Sequence, residues 1–379
     1  MKLLRGLMWG SVGLIAWTHA GYPLAAAAIG RLRRYVPRRD ERFLPEVALI
    51  IAAHNEERAI HGKLENALRL DYPRELLEII VALDGSGDGT RQAVERFSGE
   101  GVRLLDLPRL GKVTAQNAAA RATTAEILAF SDAHSPWEPD ALRLLVRNLA
   151  DPEVGYVCGR VRLDEMDGGD NRESLYWSYE LWLREHESAC GCLTAGSGAI
   201  YAVRRSAFVE LGSEHSHDIG LPFRLRRGGL RSIYEPAAVA REPGLATTRE
   251  EWPRKVRMLS RAWWEVLRGG LLDPRGQPPA FFAALFSHRL LRYSSGPLHL
   301  VLFFSSVALA PRYRPARVLV AAQLVFASLA LAGWRRPGRI PLAGVAWYYA
   351  VVNAASVVGL VRTLVRRPSV MWSPPRGGP

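Results

Sequence analysis

Four apolar stretches bracket a polar middle, and in lipid such stretches have one solution each: a helix that satisfies its own backbone, because hydrocarbon offers no hydrogen-bond partner. The first, Leu7 to Gly30, is apolar apart from His19 and a few hydroxyls, and about 20 such residues span a bilayer. The others, Gly296–Ala310, Val318–Trp334 and Pro341–Val361, fill the last part of the 379-residue chain. Each is near spanning length, the first of these three being short. A mean hydropathy of -0.03 excludes a chain that lies wholly in the bilayer. The middle therefore faces water, and a hydrophobic content of 48% is enough to give it a core.

The charge follows the same plan. The chain carries 50 Lys and Arg against 37 Asp and Glu, a net +13. Residues 31–42 hold six arginines against Asp40 and Glu41, and the segments 311–317, 335–339 and 362–367 hold three arginines each, which accounts for the whole excess. All four flank apolar stretches, so they read as anchors to anionic membrane lipid and not as a nucleic-acid face. Leu7–Gly30 exceeds the roughly 7–15 apolar residues of a secretory signal, and the arginines behind it resist translocation. It reads as an uncleaved anchor, with the catalytic side of the chain after Arg42 cytoplasmic and the protein multi-pass in the plasma membrane. Three C-terminal crossings would then carry Arg362, Arg366 and Arg367 outside, against the positive-inside tendency, which leaves their number open. The stretch Phe281–Tyr293 mixes Phe and Leu with His288, Arg289 and Arg292 and suits a helix lying in the interface. Cys158, Cys190 and Cys192 are an odd set without metal-ligand spacing, as expected of a reducing compartment.

From Pro45 to about Gly270, short β-rich runs alternate with helical segments, the pattern of a mostly parallel α/β sheet. The candidate strands are Val47–Ala53, Glu78–Leu83, Val102–Leu105, Glu126–Ser131 and Val154–Val161. Ligands bind at the carboxyl ends of such strands. Val47–Ala53 runs into His54-Asn55-Glu56-Glu57, and Glu78–Leu83 into Asp84-Gly85-Ser86-Gly87-Asp88-Gly89-Thr90. The second loop brings backbone amides close to a ligand or is an ordinary turn capped by Asp88. Asp132 and His134 follow another apolar run two residues apart, so an extended backbone points them the same way. A carboxylate and an imidazole there suit Mn²⁺ or a similar divalent ion; the alternative is a polar loop before a helix. His217-Asp218 offers a carboxylate fit for a general base. Arg254, Arg257 and Arg261 share a helical face, set either for phosphate oxygens or for lipid headgroups.

In this order the segments resemble family 2 glycosyltransferases with a GT-A fold, of the membrane-anchored kind related to synthases of cellulose and of poly-N-acetylglucosamine. The resemblance rests on Val47–Glu57, Val81–Thr90, Gly111-Lys112 with Ala115 and Asn117, Asp132-Ala133-His134 with Pro139–Leu142, Gly196–Tyr201, His217-Asp218 and Arg254-Lys255-Val256-Arg257. It implies an α/β GT-A domain with transmembrane helices before and after it: a transmembrane helix over 1–30, a basic linker over 31–44, the catalytic domain over 45–270, an interfacial helix over 271–295, transmembrane helices over 296–365 and a tail over 366–379. It also implies roles. Glu56 and Asp84 would contact nucleobase and ribose, Asp84 through the uracil imide, which suggests a UDP-sugar donor. Lys112 would lie near the nucleotide, Asp132 and His134 at the metal-binding DxD position for Mn²⁺ or Mg²⁺, Asp218 at the base of the ED motif, and Arg254 and Arg257 at the first and fourth positions of QxxRW. The Gly196–Gly198 turn would admit the acceptor, and Trp263 or Trp264 would stack on a sugar or sit at the membrane surface.

Three departures qualify it. His134 replaces the second Asp of DxD, read as a changed metal preference. His217 replaces the Glu of ED and leaves the base in place. Met258 stands for the Trp of QxxRW, and Arg254 for its Gln, which points to transfer of one sugar to a lipid-linked or glycan acceptor in place of polymer synthesis. A catalytically degenerate, nucleotide-binding membrane scaffold is the other reading of the same departures.

Overall fold

The computed structural model describes residues 1–164, 172–243, 248–335 and 341–368. Arg336 and Arg339 of the third basic segment and the tail after residue 368 lie outside the described residues. The chain opens with α1 (Lys2–Leu32), which passes through a π-helical turn at Trp17–Gly21 without breaking. The apolar run begins at Leu7, but the helix takes in Lys2 as well.

The middle is one seven-stranded sheet covered by helices. In chain order it contains β1 (Val47–Ala53), α2 (Glu57–Leu68), β2 (Leu77–Asp84), α3 (Thr90–Glu95), β3 (Val102–Leu107), α4 (Lys112–Arg121), β4 (Ile127–Asp132), α5 (Ala141–Val146), β5 (Val154–Asp164), α6 (Arg172–Ala189), β6 (Ile200–Arg204), α7 (His217–Arg227), β7 (Arg231–Pro243) and α8 (Thr248–Leu267). The strand order is β3-β2-β1-β4-β6-β5-β7. Strands β3, β2, β1 and β4 are parallel neighbours, while β6 runs antiparallel between β4 and β5. Every residue of β1 is buried, as a strand covered on both faces requires. Its alternate side chains feed two cores, Val47, Leu49 and Ile51 on one face and Ala48 and Ile50 on the other. The chain leaves β1 for β2 on one side and reaches β4 on the other, so the crevice beyond the carboxyl ends of β1 and β4 is the topological switch point where α/β sheets bind ligands.

Past α8 the chain is helical: α9 (Pro279–Ala284), a π-turn at Leu285–Leu290, α10 (Leu291–Tyr293), α11 (Ser295–Leu309), α12 (Arg314–Arg335) and α13 (Pro341–Val365). Among the described residues, three helices are long and apolar enough to cross a membrane, Lys2–Leu32, Arg314–Arg335 and Leu342–Val365, and Ser295–Leu309 is a shorter apolar helix.

The charged residues of Phe281–Tyr293 turn inward to paired groups. His288 Nδ1 lies 2.6 Å from Glu187 Oε1 of α6, Arg289 donates to Thr194 at 2.8 Å, and Arg292 is paired with Glu180 of α6. Tyr22 of α1 donates to the same Glu187 oxygen at 2.6 Å. Buried charge is tolerated only when paired and hydrogen-bonded, so this network fixes α1, α6 and the 285–292 turn to one another. At the other end of the chain, Thr363 of α13 donates to Ser260 O of α8 at 2.9 Å. Gly359 is needed there, because an added Cβ would meet Ser260 N at 3.0 Å. The end of α13, with Arg362, therefore lies against α8.

Candidate active site

Two loops close the carboxyl end of the sheet and are laced together by their own polar groups. Asn55 takes a positive φ of 54°, which Asn tolerates better than most residues, and its Oδ1 accepts from Gly87 N at 2.9 Å. Glu56 N–H donates to Thr90 Oγ1 at 2.9 Å, and Glu57 Oε2 accepts from Gly89 N at 3.2 Å. Asp88 accepts from Thr90 N at 3.1 Å. The loop after β2 is thus a turn held by Asp88, one of the two readings the sequence allowed.

Asp84 sits at the end of β2, fully buried. Its Oδ1 accepts the amides of Leu110 at 2.7 Å and Gly111 at 2.8 Å. Its Oδ2 has no hydrogen-bond partner and lies 3.6 Å from Arg109 Nη1. Asp84 therefore shapes the turn that ends at Gly111, whose φ of 95° needs glycine, and that turn delivers Lys112 as the first residue of α4. Lys112 is ion-paired with Asp132 at the end of β4.

Asp132, His134 and Glu242 bring ligand atoms within 4.8 Å of one another. His134 Nδ1 also lies 3.1 Å from Glu56 Oε1, which places Glu56 beside the metal-type cluster as well as at the β1 loop. Burial disfavours a charged His134, but the Glu56 contact and the charges of Asp132, Glu56 and Glu242 outweigh it and raise its pKa above the usual value. Glu242 is pushed up by burial and then by the charge of Asp132, with Arg254 acting in the opposite sense. Two carboxylates and an imidazole crowded in this way form a donor set that suits a hard or borderline divalent cation.

Sequence reasoning missed Glu242. It is a lone acidic residue near the end of β7, with no motif around it, and β7 itself escaped notice because Arg231, Glu235 and Pro236 interrupt its apolar pattern. Only the parallel pairing of β7 with β5 and the bridge from Ala240 to Trp137 bring it under the 132–137 loop.

Asp218 lies in the first turn of α7, and its carbonyl accepts from Gly196 N at 2.7 Å. Its neighbour His217 is not part of an acid pair. Its Nδ1 bonds Tyr201 OH at 2.7 Å, and burial, with Lys112 and Arg224 adding to it, pushes its pKa down to about 3, so it is a neutral packing residue. Burial, and after it the charges of Asp132 and Asp218, pushes the Tyr201 phenol up. On α8, Arg254, Arg257 and Arg261 follow one another along a partly buried face. Arg257 is held below the usual guanidinium range by burial and by the charge of Arg254, and Arg261 by burial and Arg257, with Asp218 opposing.

Within the Gly196–Gly198 turn, Gly196 serves core packing, since a Cβ there would meet Tyr156 OH at 2.0 Å, whereas a Cβ on Gly198 would lie 4.0 Å from Lys112 Nζ. The tryptophan expectation is corrected. Trp263 and Trp264 are both buried, and Trp263 Nε1 donates to Ser356 O of α13 at 3.0 Å, so this indole joins α8 to α13.

Residues 48–212 match the model of Glycosyl transferase family 2. A β-monoglucosyldiacylglycerol synthase of Nostoc is 26% identical over 76% of this chain and 68% of its own length, and the Trichormus variabilis protein of the same name is 26% identical over 67% and 57%. A poly-β-1,6-N-acetyl-D-glucosamine synthase of Staphylococcus epidermidis is 24% identical over 59% and 57%. The chain thus spans little more than half the length of two of these three relatives. Among solved structures, the mannosyltransferase PcManGT of Pyrobaculum calidifontis, determined with GDP-Man and Mn²⁺, superposes with a TM-score of 0.73 at 25% identity over 94% of this chain and 99% of that one. With a seven-stranded sheet, a crevice at its switch point and this match, residues 48–212 carry a Glycosyl transferase family 2 domain, built on the GT-A fold.

Proposed function

We propose that the protein is a membrane-anchored, metal-dependent, inverting glycosyltransferase that moves one sugar from a UDP-sugar to a lipid-linked or glycan acceptor, with its catalytic domain on the cytoplasmic side. The observation that carries this reading is the convergence of Asp132, His134 and Glu242 beside Lys112 at the switch point of the sheet. These three residues would hold the metal, which when bound supplies charge stabilisation to the leaving diphosphate.

The chain's own residues do the rest. Lys112, Arg254 and Arg257 bind diphosphate oxygens, and the depression of Arg257 by burial and by the charge of Arg254 is relieved by an anion. Asp84 holds the 109–111 turn through Oδ1 and keeps Oδ2 as the acceptor for a uracil imide once Arg109, which covers it, turns outward. Asp218 takes the proton of the acceptor hydroxyl as that oxygen bonds to the anomeric carbon and the bond to the diphosphate breaks. Single transfer is favoured over polymer synthesis because Met258, where a processive motif would place Trp, is 48% exposed and leaves that position without a buried ring.

The test is nucleotide release by detergent-purified protein with panels of UDP- and GDP-sugars, under Mn²⁺, Mg²⁺ or chelator and with membrane lipid extract as acceptor. The expected result is metal-dependent release from one UDP-sugar, lowered about 10²–10⁴-fold in Asp218→Asn with nucleotide binding intact, and a shifted metal preference in His134→Ala. Release from GDP-sugars alone would overturn the donor. Binding without turnover of any sugar would favour the scaffold.

A further inference from the structure

The polar interior of the membrane-type helices is not used by anything above. Helices α11, α12 and α13 enclose a cavity of about 420 Å³ whose wall is almost wholly apolar, inside the range of roughly 300–1,000 Å³ usual for small-molecule sites. It is open at the side, where Leu300 and Leu324 are 46% and 55% exposed on helices of membrane-spanning or near-spanning character. A second cavity of about 60 Å³ adjoins it, and the two share Tyr349 and Asn353. This neck is polar. His19 Nε2 lies 3.1 Å from Ser295 Oγ and 3.1 Å from Tyr349 OH, and His299 Nε2 lies 2.9 Å from the same hydroxyl.

Polar groups at this depth are costly and mark functional sites by default. The neck ends on Tyr293, which belongs to the same apolar cluster as Ala195 and Ile219, the neighbours of Gly196 and Asp218. The charge of Asp218 also reaches the Tyr293 phenol. The polar neck thus borders the packed cluster that also holds the chain neighbours of the proposed base.

We propose that this passage seats a lipid acceptor, its hydrocarbon chain in the large cavity and a neutral, hydroxyl-bearing headgroup in the neck. A single chain fits an apolar wall that opens sideways to the bilayer. The headgroup is neutral because the neck offers hydroxyl, amide and imidazole groups, while its one arginine, Arg292, is already paired with Glu180 and bonded to Tyr179. A lipid phosphate would find no uncommitted positive charge there. The inference rests on the transferase reading, from which it takes Asp218 as the point where the acceptor hydroxyl must arrive.

The experiment is photo-crosslinking of the whole protein in nanodiscs with a diacylglycerol that carries a diazirine in one acyl chain, beside a separate measurement of UDP binding. Crosslinks are expected on α11, α12 and α13, displaced by unlabelled diacylglycerol but not by phosphatidic acid or undecaprenyl phosphate. Ala327→Trp and Ala350→Phe, each filling the cavity from a different helix, should each cut labelling about tenfold without changing UDP binding. Labels confined to other helices, or displacement by the phosphate lipids, would overturn the proposal while leaving the UDP reading intact. Loss of UDP binding in the unmodified protein would strike the transferase reading instead, and a variant that loses both has failed to fold, which the second variant controls for.

Discussion

At the scale of single residues, the site is a relay in which each side chain sets the next. His54 Nδ1 bonds Asp84 O at 2.8 Å, Asp84 holds the amide of Gly111, and Gly111 starts the helix that aims Lys112 at Asp132. Asp132, Lys112 and Asp84 were legible in the sequence because each stands in a local pattern of strand, then glycine or carboxylate. Glu242 was not, since its meaning comes only from strand pairing across the sheet. It supplies a direct check on the cluster. Glu242→Gln keeps the size and removes the charge, so Mn²⁺ affinity measured by calorimetry should fall at least about tenfold while UDP affinity without metal stays the same; unchanged Mn²⁺ affinity would remove Glu242 from the ligand set.

Among elements, the loop after β4 is held from behind by α2. Lys63 is fully buried on that helix and donates to Ser135 O at 2.7 Å, and Asn66 bonds both the amide and the carbonyl of Trp137. Burial lowers the Lys63 pKa to about 7, against the opposing pull of Asp132. Between about pH 7 and the ordinary lysine value of 10.5, the unfolded chain then carries a proton that the folded chain lacks, so stability rises with pH across that window. The thermal midpoint of the protein should climb from pH 7 to pH 9, and Lys63→Met should flatten the climb; equal slopes in both proteins would mean that Lys63 is not titrating in the fold. The first five strands were readable because β1, β2 and β4 are continuous apolar runs. β7 was hidden by Arg231, Glu235 and Pro236, and the inward turn of His288 and Arg292 toward Glu187 and Glu180 was not legible because a segment that buries its charges has the same composition as one that shows them to lipid headgroups.

For the whole molecule, the apolar periods announced the membrane helices, but nothing in a linear pattern could show that the last of them returns to the catalytic domain. That contact seats one face of α8, the helix that carries Arg254 and Arg257, against Ser356, Gly359 and Thr363 of α13. The helix proposed to clamp the diphosphate is thus seated directly on a helix long enough to span the bilayer. A helix whose apolar length differs from the bilayer's thickness tilts to compensate, and a tilt of α13 shifts the guanidinium groups that α8 carries. The enzyme is then coupled to the mechanical state of its own surroundings: reconstituted in phosphatidylcholines of increasing acyl length, it should show an optimum in turnover at one thickness with the nucleotide affinity tracking it, and Gly359→Leu, which breaks the seat, should blunt that dependence. A catalyst seated in this way would slow or quicken as the membrane around it thickens or thins.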